Sequence, residues 1–179
     1  MAIKQFKNIL NKDEQKYFKT QVLDNLYFPY YLSKRISVDT DSFPYFNHKI
    51  LMRPEEVKEG TDRRNSPHYN YVANLFNIIS KRFKFKYKNL LRISINLTFN
   101  SGVKECAIHK DHDYPHKQLL IFLHVDDKNS FTIFYDKDCK KIIKRIKPEN
   151  NTGIMADNQP HNHLTPKKGY RVVLVYTFH

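Results

Sequence analysis

The sequence predicts an α+β, mainly β domain, with N-terminal helices followed by an antiparallel sandwich or small barrel. Three observations carry this reading. Apolar residues recur at helical spacing before about residue 89 and at alternate positions after it. The strand-like runs are short and separated by turn residues. Nothing between them is long enough for the helical crossovers that parallel strands require.

Along the chain, Asn11 is placed to cap a first helix, with Glu14 three residues on as its reciprocal partner. Phe18, Val22 and Leu26 continue at i, i+4 and i+8 as its apolar stripe. The aromatic-rich stretch 25–46, "NLYFPYYLSKRISVDTDSFPYF", reads as irregular. Ser66 as cap and Pro67 as first residue open a second helix, whose Val72, Leu75, Phe76 and Ile79 form one core-facing stripe. The period then becomes two. In "RISINLTF" (92–99), Ile93, Ile95, Leu97 and Phe99 share one face. Arg92, Ser94, Asn96 and Thr98 share the other, polar enough to line a cavity or face water. Further strand-like runs are "CAIH", "QLLIFLHV", "FTIFY", "KIIKRI", "GIMA" and "RVVLVYTF". Gly102, Gly153 and Gly169 fall between runs, where a turn calls for positive φ.

The 179 residues suffice for one domain with a real core, and 40% of them are apolar. The apolar runs are too short to cross a membrane, and "MAIKQFKNILNKDEQ" lacks the pattern of a secretory signal. A soluble cytoplasmic protein is the expectation. Two cysteines, Cys106 and Cys139, give neither a disulfide framework nor a thiolate cluster and read as idle thiols. The net charge of +13 is concentrated in "KRFKFKYK" (81–88) and "KDCKKIIKRIK" (137–147). Such a surface attracts polyanions, or simply keeps the protein soluble.

The stretch "HKDHDYPH" (109–116) is the densest cluster of metal-type side chains. On an extended backbone His109 and Asp111 project to the same side and can bite one ion with a nitrogen and an oxygen. A set of two histidines and one carboxylate then needs a histidine from a distant strand. An array of His109, His112 and His116 is a weaker choice, because Pro115 breaks the helix that the i, i+4 spacing of the last two would need. The distal segment "DNQPHNHLTPKKGYRVVLVYTF" offers His161 and His163, then Arg171 opening an apolar strand. An arginine there can hold a carboxylate through paired, charge-assisted hydrogen bonds.

The order HxD, strand, turn, strand, His, turn, Arg, strand resembles the Fe(II)/2-oxoglutarate-dependent dioxygenase superfamily. Its small prolyl-4-hydroxylase-like members in bacteria and phages are the most similar. The resemblance covers roughly residues 89–179, and residues 1–88 fit only as helical support and a substrate lip around one dioxygenase domain. It implies a double-stranded β-helix (jelly-roll, cupin-like) barrel. It implies His109, Asp111 and His161 as the iron ligands and catalytic centre. Arg171, ten residues after His161, would bind the distal carboxylate of 2-oxoglutarate. Asn96 matches a cosubstrate-bonding position, and Thr98 or a tyrosine is left as the second partner of the distal carboxylate. His163 then has a structural or supporting role. Fe(II), 2-oxoglutarate and O2 are implied, with ascorbate as reductant. The reaction implied is hydroxylation of a C–H bond with oxidative decarboxylation of 2-oxoglutarate to succinate and CO2. A peptidyl proline suits the family, a nucleic-acid base suits the charge, and a non-catalytic basic barrel that binds nucleic acid is the other class. The chain departs from many relatives in the turn "DDKNSFTIF", where Asn129 and Ser130 replace glycines, Asn129 being able to take a left-handed conformation. The lips of the pocket are expected from residues 27–46, the loop "GTDRRNSPHYNY" and the tail of "HKDHDYPH".

Overall fold

The computed structural model describes residues 3–34 and 43–179. In chain order the elements are β1 (Lys4–Lys7), α1 (Lys12–Phe18) continued by a π-helical turn (Lys19–Leu23), β2 (Tyr31–Ser33), β3 (Tyr45–Leu51) and a 3-10 turn (Pro54–Glu56). Then come α2 (Tyr69–Arg82), β4 (Leu90–Phe99), β5 (Lys117–Val125), β6 (Thr132–Tyr135), β7 (Ile142–Ile146), β8 (Thr152–Asp157), β9 (His161–His163) and β10 (Tyr170–Phe178). Seven strands form one antiparallel sheet in the order β1-β8-β5-β10-β4-β3-β2, and three form a second in the order β7-β6-β9.

Alternation along the central strands assigns each face of the large sheet a job. Ile93 and Ile95 of β4, Leu119 and Ile121 of β5, and Val172, Leu174, Tyr176 and Phe178 of β10 point one way. There they meet Phe18 and Val22 of the first helix and Val72, Leu75, Phe76 and Ile79 of α2 in one apolar core. The opposite face carries Leu120, Phe122, Val173 and Val175, which pack with Phe134 and Ile146 of the small sheet and Ile154 of β8. The helices therefore support one side of the large sheet, and the small sheet covers the other. The space between the two sheets is where the polar face of β4 ends up.

The helix ends are held by specific bonds. Asn11 Oδ1 accepts from Glu14 N at 2.9 Å, and Glu14 Oε2 accepts from Asn11 N at 2.7 Å, completing the expected reciprocal cap. Arg82, near the end of α2, donates to both Glu14 oxygens at 2.6 and 3.0 Å and to Ile9 O at 2.8 Å. The guanidinium thus ties α2 to α1 and to the chain before it. Asn11 and Arg82 together hold the Glu14 carboxyl below its ordinary value, although burial pushes it up.

Several expectations are corrected. Residues before 89 are not only helical, since β1, β2 and β3 add three strands to the large sheet. The second helix starts at Tyr69, not at Pro67. Ser66 and Pro67 make the preceding turn, in which Ser66 Oγ accepts from His68 N at 3.2 Å. Leu26 is 94% exposed, because the helical turns end at Leu23 and the stripe stops with Val22. "CAIH" is not a strand; Glu105 and His109 make only isolated bridges to Leu164 and His161. Gly102 and Gly169 have the positive φ of turn residues, but Gly153 lies inside β8. A Cβ on Gly153 would come within 2.5 Å of Ile9 Cδ1, so close packing favours glycine there and a larger residue needs the Ile9 side chain to shift. Asn129 is not among the residues of positive φ. Its turn is built instead on Asp127, whose Oδ1 accepts from Asn129 N and whose backbone oxygen accepts from Ser130 Oγ.

Candidate active site

One cavity between the two sheets gathers nearly all the chemistry. Arg92, Asn96 and Thr98 of β4, His109 and Asp111 of the following segment, His161 and His163 of β9, and Arg171 of β10 all line it. Leu120, Phe122, Val173 and Val175 supply its apolar wall, and Tyr45 of β3 also lines it.

The segment carrying His109 is held to β9 by two reciprocal backbone bonds of 2.9 Å, His109 N to His161 O and His161 N to His109 O. This pairing brings the two imidazoles together, with ring centroids 4.5 Å apart and the rings tilted by 50°. Each ring uses Nδ1 on a nearby carbonyl: His109 on Ala107 O and His161 on Gln159 O, both at 3.0 Å. The protons therefore belong on Nδ1, and the Nε2 lone pairs face outward from those anchors. Burial pushes both imidazoles down, His161 to about 4, with Asp111 acting in the other direction. Both are neutral donors near pH 7.

Asp111 is 7% exposed. Its Oδ1 accepts from Arg92 at 2.9 Å and lies 3.6 Å from Arg53. Its Oδ2 is buried with no hydrogen-bond partner. Burial pushes this carboxyl up, but Arg92, His161, His109 and Arg53 outweigh it and keep the group ionised. Two neutral imidazole nitrogens and one bare carboxylate oxygen on one cavity suit a divalent ion such as Fe(II). No three His, Cys, Asp or Glu side chains among the described residues stand together as a formed metal centre. What these three share is donor chemistry and a common cavity.

Arg171 occupies another strand of the same cavity. It is 4% exposed, donates to Ser130 O at 2.9 Å, and has its guanidinium carbon 5.8 Å from the Phe122 ring centre. Nε has no partner, and no carboxylate among the described residues pairs with the group. Burial pushes it down to about 10, so it is still a cation at pH 7. A buried cation without a counter-charge is costly, and an anionic ligand relieves the cost. Thr98 faces Arg171 directly across the β4–β10 ladder, and Asn96 faces Val173. Thr98 Oγ1 and Asn96 Oδ1 are likewise buried and unpartnered.

Thus every one of the six expected site residues lies on this cavity. The rejected three-histidine array is absent for a clear reason. His112 uses both ring nitrogens, on Glu55 at 2.8 Å and on Thr177 at 2.7 Å, and is a buried strut rather than part of a substrate-facing loop. The loop 60–71 lines none of the cavity, and part of the expected 27–46 lip (35–42) lies outside the described residues. Sequence reasoning missed Arg92 as the partner of Asp111, although its place on the polar face of β4 was the signal. It also missed Gln118, whose amide lies 3.3 Å from His161 Nδ1 beside the Gln159 carbonyl.

No protein-family model and no curated protein matches the sequence. Solved structures do. A 2OG-Fe(II) oxygenase family oxidoreductase from Burkholderia pseudomallei superposes with a TM-score of 0.76 at 15% identity, over 98% of this chain and 84% of that one. The viral collagen prolyl hydroxylase of Paramecium Bursaria Chlorella virus-1, solved with 2OG, gives 0.61 at 12% identity, over 99% and 95%. A prolyl hydroxylase from Trichoplax adhaerens, in complex with a hypoxia inducible factor peptide fragment, gives 0.63 at 16%, over 98% and 82%. The chain has the jelly-roll fold of the 2OG-Fe(II) oxygenases, prolyl hydroxylases included.

Proposed function

We propose that the protein is an Fe(II)- and 2-oxoglutarate-dependent oxygenase that hydroxylates a C–H bond of its substrate. One observation carries this reading: a single cavity pairs three metal-type donors with a buried guanidinium that has no counter-charge among the described residues. His109 Nε2, His161 Nε2 and Asp111 Oδ2 would hold the metal. Bound Fe(II), with 2-oxoglutarate and O2, supplies the oxidising power for hydroxylation, and the cosubstrate leaves as succinate and CO2.

The chain's own residues prepare that chemistry. Arg92 fixes Oδ1 of Asp111, which leaves Oδ2 as the free oxygen. The carbonyls of Ala107 and Gln159 hold the two imidazoles in the tautomer that presents Nε2. Arg171 anchors the far carboxylate of the cosubstrate, with Thr98 beside it. Leu120, Phe122, Val173 and Val175 exclude water from the space between.

For the substrate, a prolyl residue of a peptide is our first choice. It is supported by the prolyl hydroxylases among the structural neighbours, one of which was solved with a peptide. A nucleic-acid base draws support from the net charge of +13. The basic-aromatic segment 81–88 gives it less support than its sequence suggests, since Phe83, Phe85 and Tyr87 pack against the core.

His109→Ala and Asp111→Ala should each abolish Fe(II)-dependent succinate formation, and full activity in either would overturn the assignment. Anaerobic addition of Fe(II) and 2-oxoglutarate should give a visible charge-transfer band. A non-catalytic basic barrel would give no band and would instead bind nucleic acid in a strongly salt-dependent way.

A further inference from the structure

We propose that His163 is the second donor to the distal carboxylate of the cosubstrate, acting with Arg171 and selecting a diacid over a simple 2-oxo acid. The inference rests on the 2-oxoglutarate reading above and concerns a residue which that reading leaves without a task.

His163 lines the same cavity, and its Nε2 is buried with no hydrogen-bond partner. Its other nitrogen, Nδ1, lies 3.4 Å from Cys106 Sγ, and the backbone N of His163 donates to that same sulfur at 3.3 Å. The sulfur thus already accepts one N–H, which favours its S–H as the donor in the contact with Nδ1. That places the imidazole proton on Nε2, the atom facing the cavity. The Phe43 ring stands edge-on to the imidazole at 5.1 Å and helps fix its plane.

Three strands then contribute unpartnered polar groups to one end of the cavity: Thr98 Oγ1 from β4, His163 Nε2 from β9 and Arg171 Nε from β10. All three can donate a hydrogen, and no acceptor among the described residues answers them. A carboxylate, with two oxygens and four lone-pair sites, does. The spacing also fits. His161 and His163 are i and i+2 on one strand, so their side chains share a side about 6.5 Å apart. The metal end and the anchor end are thus separated by a span that an extended five-carbon diacid bridges. A 2-oxo acid without the second carboxylate, such as pyruvate, would reach the metal end and leave all three donors unmet.

The test measures binding, not turnover. Full-length wild type, His163→Val and His163→Gln are loaded with Mn(II), and 2-oxoglutarate and pyruvate are titrated calorimetrically. Mn(II) affinity is followed by electron paramagnetic resonance. In His163→Val, 2-oxoglutarate should bind about 10- to 30-fold more weakly, the loss expected for one hydrogen bond to a charged group. Pyruvate and Mn(II) affinities should be unchanged. His163→Gln, which can still present an N–H, should recover most of the loss. If the valine variant binds 2-oxoglutarate like wild type, His163 is not the partner and the oxygenase reading stands. Equal losses for pyruvate or for Mn(II) would mark a merely structural role and also overturn the inference. Wild type that takes up Mn(II) but not 2-oxoglutarate would overturn the oxygenase reading itself.

Discussion

On the helix-facing side of β10, Val172, Leu174, Tyr176 and Phe178 disappear into an apolar core, and the Tyr176 Oη they carry there donates to Val72 O at 3.0 Å. On the cavity side of the neighbouring strands, Thr98 Oγ1, Asn96 Oδ1, Ser94 Oγ and Arg171 Nε are all buried and unpartnered. The same contrast separates two arginines. Arg82 is neutralised by Glu14 through two bonds, whereas Arg171 donates to a carbonyl, stands over a ring and pairs with no carboxylate among the described residues. Unmet polar atoms are thus few on the helix side, where Tyr30 Oη is one, and gathered on the cavity side. A cluster of buried polar groups left unmet in one cavity marks where stability has been given up for a ligand.

Substitutions on the two faces should therefore separate cleanly. The largest effect is expected from Leu174→Ala on the helix side. Removing a fully buried leucine should cost roughly 2–5 kcal/mol in urea unfolding, with no specific effect on 2-oxoglutarate binding by the folded fraction. Arg82→Met should cost about 1–3 kcal/mol, because it strands the Glu14 carboxylate. It also predicts a pH dependence. The Glu14 carboxyl is held below its ordinary value of 4.5 in the folded state. Its contribution is thus present above about that pH and lost as the pH falls through the lower folded value. Acid melts of wild type should show this loss, and melts of Arg82→Met should show less of it. The smallest effect on stability belongs to Thr98→Val, which removes a hydroxyl that bonds to nothing. The melting temperature should hold or rise without ligand, while the upward shift produced by 2-oxoglutarate shrinks. Destabilisation as large as that of Leu174→Ala would break the contrast between the faces.

Much of the helix-facing half was legible in the sequence, because its signals are periodic. The Val72, Leu75, Phe76 and Ile79 stripe and the alternation of "RISINLTF" each repeat often enough to fix a face. The Asn11–Glu14 cap was legible because its chemistry is local. The candidate site was read from residue type and spacing, and the structure puts all six of its residues on one cavity. What escaped is short or long-range. A three-residue strand such as β9 has no period to read, and its form comes from pairing with β6 and with the His109 segment. Leu26 failed because the helix ended before it. Gly153 failed because its constraint is Ile9, far away in the chain. The Arg92–Asp111 pair joins two residues that were each read correctly but whose contact only the folded chain creates.

The reciprocal backbone pairing of His109 with His161 bears on the order of events as the chain folds. Closing the roughly 50 residues between them is an entropic cost met only once β5 through β8 have taken their places in the two sheets. In the nascent or unfolded chain the two imidazoles are far apart, and the proposed ligand set exists only as the HxD pair. On the oxygenase reading, metal should therefore enter a finished barrel rather than help to assemble one, and the apoprotein should reach its native fold without it.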